Sequence, residues 1–165
     1  MMRLRATDLA DPVARALIFR QWTEICERYD SPAPCGEESA MPTGSFAEPA
    51  GAFLVGEVEG VPVACGGVRA CEDGPPGVGE IKRMYVEPTM RGCGLGRLLL
   101  AALEDEGRRL GYERLWLETG TAQPEALRLY ETGGWIPIPK YGEYKHEEDS
   151  RCYQRAIGPP GPPPS

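Results

Sequence analysis

Apolar positions recur at helical spacing in two long stretches of the chain and at strand spacing through much of the rest. Ile18, Trp22, Ile25, Cys26 and Tyr29 fall at i, i+4, i+7, i+8 and i+11, one face of a helix that opens with Asp11 as its cap and Pro12 at its first position. Leu95, Leu98, Leu99, Ala102, Leu103 and Leu110 form a second stripe, with Arg97, Glu104, Asp105, Arg108 and Arg109 opposite and Gly111 as a left-handed stop. A shorter helix is predicted from Pro124 to Glu131, closed by Gly133-Gly134. Strands are predicted at 3–7, 52–58, 61–70, 80–86, 113–118, from Trp135-Ile136 onward, and at 152–157. Glu59-Gly60 joins the second and third as a hairpin, with Pro62 near the strand start, where its missing N–H does least harm. Gly74-Pro75-Pro76-Gly77 makes a further turn.

Asp30 to Gly51 breaks this rhythm with four prolines and three glycines in 22 residues. It reads as a loop or a broken short helix, and a loop of that length is a candidate wall for a substrate site. An antiparallel hairpin in the first half and alternating strands and helices in the second predict a mixed α/β sheet of α+β-like character, not a doubly wound parallel one.

Composition narrows the function classes. With 165 residues the chain suits one domain, residues 1–157, followed by a tail at 158–165 whose five prolines predict disorder or polyproline structure. Eighteen basic against 25 acidic residues give a net charge of −7, which argues against a nucleic-acid partner. The densest apolar run, residues 98–103, is far too short to span a bilayer, and no apolar segment follows the basic N-terminal residues. The expectation is a cytoplasmic protein without a membrane partner, its oligomeric state left open with a homodimer included. Six cysteines without a Cys-x-x-Cys pair fit reduced thiols, Cys65 and Cys71 reading as buried and inert. His146, the sole histidine, lies in a charged run and reads as a solvated loop residue; no metal site is expected.

The segment Arg91-Gly92-Cys93-Gly94-Leu95-Gly96-Arg97 carries the clearest chemistry. It runs from a predicted strand into the most amphipathic helix, so its N–H groups gather at the positive end of that helix. Three glycines let a ligand approach the backbone, and two arginines add positive charge, which together make a diphosphate site. The string Gly-x-x-x-x-Gly-Lys-[Ser/Thr] of nucleotide P-loops is absent. A Rossmann fingerprint fails because Arg97 stands where its third glycine belongs and a hairpin precedes it.

Arg91-x-x-Gly94-x-Gly96 resembles the acetyl-CoA pyrophosphate loop of the GNAT superfamily of N-acetyltransferases. The likeness extends to Met84-Tyr85-Val86-x-Pro88 and to Ala126-Leu127-x-Leu129-Tyr130 with Gly134-Trp135 at the helix exit, and spans roughly residues 3–157. It implies a central mixed sheet of six to seven strands flanked by about four helices, with acetyl-CoA as co-substrate. It implies further that the backbone of Met84, Tyr85 and Val86 pairs with the pantetheine arm, and that Arg91, Gly92, Cys93, Gly94, Leu95, Gly96 and Arg97 hold the pyrophosphate. Tyr130 matches the family's general acid beside the coenzyme sulfur. Gln123 is the nearest amide to an asparagine that the family often uses on the coenzyme arm, and Cys93 is an unusual thiol within a phosphate cradle.

Acetyl transfer to an amine requires that an alkylammonium of pKa ~10 lose a proton, that N–H donors meet the charge developing on the acyl oxygen, and that the leaving thiolate receive a proton. The backbone at Met84 to Val86 suits the second task and Tyr130 the third. Glu80, four residues before Met84, is the candidate base, by similarity to histone-acetylating members; a surface pairing with Lys82 or Arg83 and a water relay are the competing readings. Walls for the acceptor are expected from 30–51 and from Tyr141 to Tyr144. The expected activity is acetylation of a primary amine of a small molecule or peptide by direct attack in a ternary complex. The alternative is a coenzyme-A-binding sensor or interaction module without turnover.

Overall fold

The computed structural model describes residues 1–30 and 44–158. The elements in chain order are β1 (Met2–Thr7), α1 (Pro12–Arg28), β2 (Ala52–Val58), β3 (Val61–Ala70), β4 (Val78–Val86), α2 (Leu95–Arg109), β5 (Arg114–Gly120), α3 (Pro124–Thr132), β6 (Ile136–Ile138) and β7 (Ser150–Ala156). All seven strands form one sheet in the order β1-β2-β3-β4-β5-β7-β6. Only the β4/β5 pair is parallel; every other neighbour is antiparallel.

Local chemistry explains most of these elements. The Asp11 carboxylate accepts from Val13 N–H at 2.9 Å and Pro12 fills the first turn, so α1 starts where its cap dictates. Glu59 and Gly60 both take left-handed φ, 51° and 79°, the primed turn that suits the twist of a tight hairpin. β4 begins two residues earlier than its sequence pattern predicts, because Val78 and Gly79 already pair with Arg114 and Leu115.

The sheet is covered on both faces. Leu95, Leu99, Leu100 and Leu103 of α2 pack with Ala64, Val68, Ile81, Leu115 and Leu117 into the larger core. Leu17 and Ile18 of α1 meet Phe46, Phe53, Val55, Cys65 and Tyr85 on the other face. Two expectations for α2 need correcting. Leu98 is 49% exposed, and Glu104 is buried, accepting from Trp135 Nε1 at 3.2 Å and pairing with Arg155. A charged residue inside the stripe is tolerated because both partners come from beyond the helix. The described residues form three α-helices against about four expected. Of the segment after α1, residues 31–43 lie outside the described residues and 44–50 form turns, while Pro88–Met90 is a single 3-10 turn. The tail from 159 onward also lies outside the described residues, as does Cys35. No disulfide joins the five described cysteines, and no helix among the described residues is long and apolar enough to cross a membrane.

Two irregularities place the site. β4 and β5 pair only at Val78/Arg114, Gly79/Leu115 and Glu80/Trp116, and beyond that point the two strands part. Where they part, β4 slips register against β3 between Cys65/Tyr85 and Gly67/Lys82, so Arg83 and Met84 together oppose Gly66. Arg83 adopts φ 61°, a rare value for a side-chain-bearing residue. Gly66 is needed opposite this bulge: a Cβ there would stand 2.8 Å from Leu103 Cδ1 and 3.5 Å from Met84 Cα.

Candidate active site

The parted strands open a cavity of about 580 Å³. Its walls come from the second half of α1, from Arg69 of β3, from β4 around the bulge, from the C-terminal end of β5, from Gln123 and Tyr130 at the two ends of α3 and from residues 143–150. Ligands bind at the carboxyl ends of parallel strands, and this is the one place in the sheet where such ends lie side by side. The predicted α1 stripe divides here. Its N-terminal part is buried core, whereas Trp22, Ile25, Cys26 and Tyr29 line the cavity.

The loop between β4 and α2 follows the bulged strand, and residues 91–97 are not among those that line the cavity. Gly92 and Gly94 take left-handed φ of 82° and 86°, and a Cβ at either would meet nothing within 4 Å. None of the main-chain N–H groups from Gly92 to Arg97 donates to an acceptor among the described residues. Unused amides at the positive end of a 15-residue helix, with open space above them, fit a phosphate-bearing group. Gly96 differs: its φ is ordinary and a Cβ there would make normal contact with Leu129 at 3.6 Å. Arg97 projects from α2 and donates to Thr132 Oγ1 at 2.8 Å. Cys93 is exposed, its thiol donating to the Met90 carbonyl at 2.9 Å.

Arg91 is engaged within the protein. Its Nε donates to the Val86 carbonyl at 2.9 Å and its Nη2 reaches both oxygens of Glu24, at 2.9 and 2.7 Å. The guanidinium also lies 5.7 Å from the centre of the Tyr85 ring. This side chain ties the loop to α1 and to the end of β4, and its charge is already met by Glu24. Arg28 extends the network by pairing with Glu24 and with Glu125 of α3.

Tyr130 and Met84 meet across the cavity, the phenol oxygen 3.9 Å from the Met84 sulfur. Tyr130 is buried between Trp135 and Tyr153, with ring centres 6.0 Å away in each case. Burial, reinforced by the Glu118 charge, pushes its phenol above the usual range, so the proton stays on oxygen at neutral pH. Gln123 lines the same space and its Nε2 donates to Tyr29 Oη at 3.4 Å. Gln21 of α1 reaches the bulge, donating to the Met84 carbonyl at 3.3 Å. Tyr85 and Val86 continue β4 toward the loop, Tyr85 turning its ring into the α1 core.

Glu80 is not among the cavity residues. It sits where β4 still pairs with β5, 6% exposed, and its Oε1 accepts from Arg69 at 3.4 Å. The carboxyl that does face the cavity is Glu118, four residues into β5 past the start of the parallel pairing. Desolvation pushes its pKa up to about 7, against the smaller lowering effects of the Ser150 hydroxyl at 3.1 Å and the Lys82 charge. A carboxyl poised near neutrality in a cavity is a candidate general base. Sequence reasoning passed over Glu118 as the last residue of a strand. The available signal was a lone acid at the C-terminal end of a strand whose alternate positions, Leu115 and Leu117, are apolar. Of the expected acceptor walls, Glu143 and Tyr144 line the cavity, Tyr141 packs instead on Trp116 with ring centres 5.0 Å apart, and the described residues 44–51 stay outside it.

Comparison with known proteins agrees with this geometry. The acetyltransferase (GNAT) family model matches residues 16–135. An IAA acetyltransferase of Azospirillum brasilense is 38% identical over 111 residues, 67% of this chain and 71% of that protein. The N-acetyltransferase YjgM of Escherichia coli is 31% identical over 82% of both chains. Among solved structures, a Klebsiella pneumoniae protein assigned as an acyl-CoA N-acyltransferase is 28% identical with TM-score 0.74, the match covering 95% of this chain and 98% of that one. The Salmonella typhimurium acetyltransferase yncA, solved with acetyl-CoA, shares the fold at TM-score 0.69 and 21% identity, over 100% and 99% of the two chains.

Proposed function

The chain belongs to the acetyltransferase (GNAT) family of acyltransferases, and we propose that it moves the acetyl group of acetyl-CoA to a primary amine of a small molecule or peptide by direct attack within a ternary complex. The observation that carries this reading is a pair of features on one strand: six unused loop amides, from Gly92 to Arg97, follow β4, and the β4 bulge lines a cavity with a buried phenol and a carboxyl near neutrality.

Acetyl-CoA, when bound, supplies an acyl group already activated as a thioester. The amides of Gly92 to Arg97 receive the pyrophosphate, with Arg97 the exposed cation beside them. The open edge of β4 at Met84, Tyr85 and Val86 receives the pantetheine arm, and Gln123 offers its amide from the opposite wall. The thioester would then lie near the bulge at Arg83 and Met84, where main-chain N–H groups would meet the negative charge that develops on the acyl oxygen. Glu118 takes the proton from the acceptor's ammonium: a carboxylate of pKa about 7 is ionised at working pH yet basic enough to accept it. Tyr130 keeps its proton until the sulfur departs and then donates it. Glu80, held by Arg69 outside the cavity, serves the β4/β5 junction instead.

The test couples two measurements on the purified protein. Calorimetry with coenzyme A reports the loop site, and thiol release from acetyl-CoA with a panel of primary amines reports transfer. Binding with amine-dependent release is the expected result. Binding without release from any amine would make the protein a coenzyme-A sensor, and no binding would remove the reading altogether.

A further inference from the structure

The wall of the cavity remote from the 91–97 loop is dipolar. Arg69, Lys82 and Arg83 bring three positive charges to it from β3 and β4, and Glu118 stands opposite on β5. The three cations are not equivalent. Arg69 is engaged by the buried Glu80 at 3.4 Å, and the Arg83 guanidinium lies over the Trp22 ring, 5.3 Å from its centre. Lys82 makes no hydrogen bond or ion pair with any described residue, although it lies near enough to Glu118 for its charge to act on that carboxyl. A half-buried ammonium is a strongly hydrated point charge that gains most from a compact anion. Farther along residues 143–150, Glu143, Glu147 and Asp149 supply acidic groups, so the cavity offers both signs of charge.

We propose that the acceptor is zwitterionic: an amine that also carries a carboxylate or phosphonate, the anion held by Lys82 with Arg83 behind it and the amine turned toward Glu118. This inference rests on the acyl-transfer reading and narrows its substrate class. An acceptor with two or more amines and no anion would meet Glu143, Glu147 or Asp149 with its second ammonium but would leave Lys82 without an anion. A neutral-tailed amine would leave Lys82 without a partner while displacing its water. An amino-acid-like acceptor meets both signs of charge with one molecule, and the proximity of Lys82 to Glu118 suits a short spacing between amine and anion.

The experiment compares matched acceptors by thiol release from acetyl-CoA. β-Alanine and 4-aminobutyrate are set beside their carboxamides, and aminomethylphosphonate and 3-aminopropylphosphonate form a second arm that separates the two anions. The expected result is a kcat/KM for the anionic member at least about tenfold above that of its neutral partner. In Lys82→Gln and Lys82→Met this ratio should fall by about tenfold, and in Lys82→Arg it should return to within about threefold of the starting value. Removing Lys82 also shifts Glu118, but that shift acts on both members of a pair and cancels in the ratio. Equal or better use of the neutral partners by the unaltered protein overturns the inference, and so does a ratio that ignores both Lys82 substitutions. Thiol release that is indifferent to the anion leaves acyl transfer standing. No release with any amine overturns acyl transfer, and this inference with it.

Discussion

The 91–97 loop and the cavity are built from different materials. The loop, proposed as the coenzyme end of the site, is made of backbone: seven consecutive residues, two left-handed glycines and six amides without acceptors among the described residues, at the start of one helix. The cavity, proposed as the acceptor end, is made of side chains, contributed by α1, β3, β4, β5 and the segment before β7. A backbone site depends on a short string and tolerates change around it. A side-chain site depends on the whole sheet bringing distant residues together, so it can vary with the substrate while the coenzyme end stays the same. The comparison can be broken from either side.

The largest effect is expected at the acceptor end. Glu118→Gln should lower kcat by about 10³-fold while leaving coenzyme affinity within about twofold, as stopped-time thiol release and calorimetry would report. In the unaltered protein kcat/KM should rise with pH through about 7, where Glu118 loses its proton, and the variant should lack that limb. Stability gives an independent check. Folding raises this carboxyl from 4.5 to about 7, so between those values the folded chain holds more protons than the unfolded one. The contribution of Glu118 to stability is therefore greatest at low pH and is lost as pH rises through that window. Glu118→Gln should flatten this part of the Tm–pH curve. An unchanged limb and an unchanged curve would return the base role to Glu80 or to water.

Tyr130→Phe comes next, with kcat lower by about 10²-fold and coenzyme binding retained. The expected loss is smaller than for Glu118 because a thiolate of pKa ~8.5 leaves tolerably without a proton, whereas an ammonium cannot attack at all. If turnover in the phenylalanine variant matches the parent, Tyr130 is only a wall, packed between Trp135 and Tyr153.

The same division decides what could be read in the sequence. The hairpin 52–70, the α2 stripe, the Asp11-Pro12 cap and the 91–97 loop were legible because each is fixed by neighbours in the chain: turn residues, helical period, cap chemistry. Glu118 was not legible as a base, because its pKa is raised by burial that only the folded sheet creates, against the lowering hydrogen bond from Ser150, 32 residues away. Glu80 looked suitable by its spacing along β4, yet spacing does not reveal where β4 and β5 separate. That point falls just after Glu80/Trp116, which leaves Glu80 at the closed junction and Glu118 in the opening. The engagement of Arg91 was hidden for a similar reason, since its partner Glu24 lies 67 residues away.

Within the coenzyme end the glycines should differ in effect. Gly94→Val forces a β-branched residue into φ 86°, which costs about 1–2 kcal/mol or more, and the loop relieves this by turning its amides. Coenzyme affinity should drop about tenfold or more by calorimetry, with the acceptor KM much less affected. Gly96→Ala should bind within about twofold of the parent, because its added Cβ meets only Leu129 at an ordinary 3.6 Å. Equal losses at both positions would mean that space, not backbone conformation, is what the glycines provide.

The smallest effect tests whether Arg91 belongs to the coenzyme or to the scaffold. As a scaffold strut, Arg91→Ala loses two charge-assisted contacts to Glu24 and one to the Val86 carbonyl, all partly exposed, for about 1–2 kcal/mol of stability. For a domain of this size that lowers Tm by roughly 2–8 °C. Glu24→Ala should produce a similar loss, and the double variant should fall short of the sum, since both changes remove the same contact. As a phosphate ligand, Arg91 would behave otherwise: its removal would weaken coenzyme binding in a salt-dependent way, and Glu24→Ala would leave binding alone or strengthen it by freeing the cation. The two outcomes move different measurements in different variants, so one double-mutant cycle read by thermal unfolding and by calorimetry separates a backbone cradle from one that also needs the Arg91 charge.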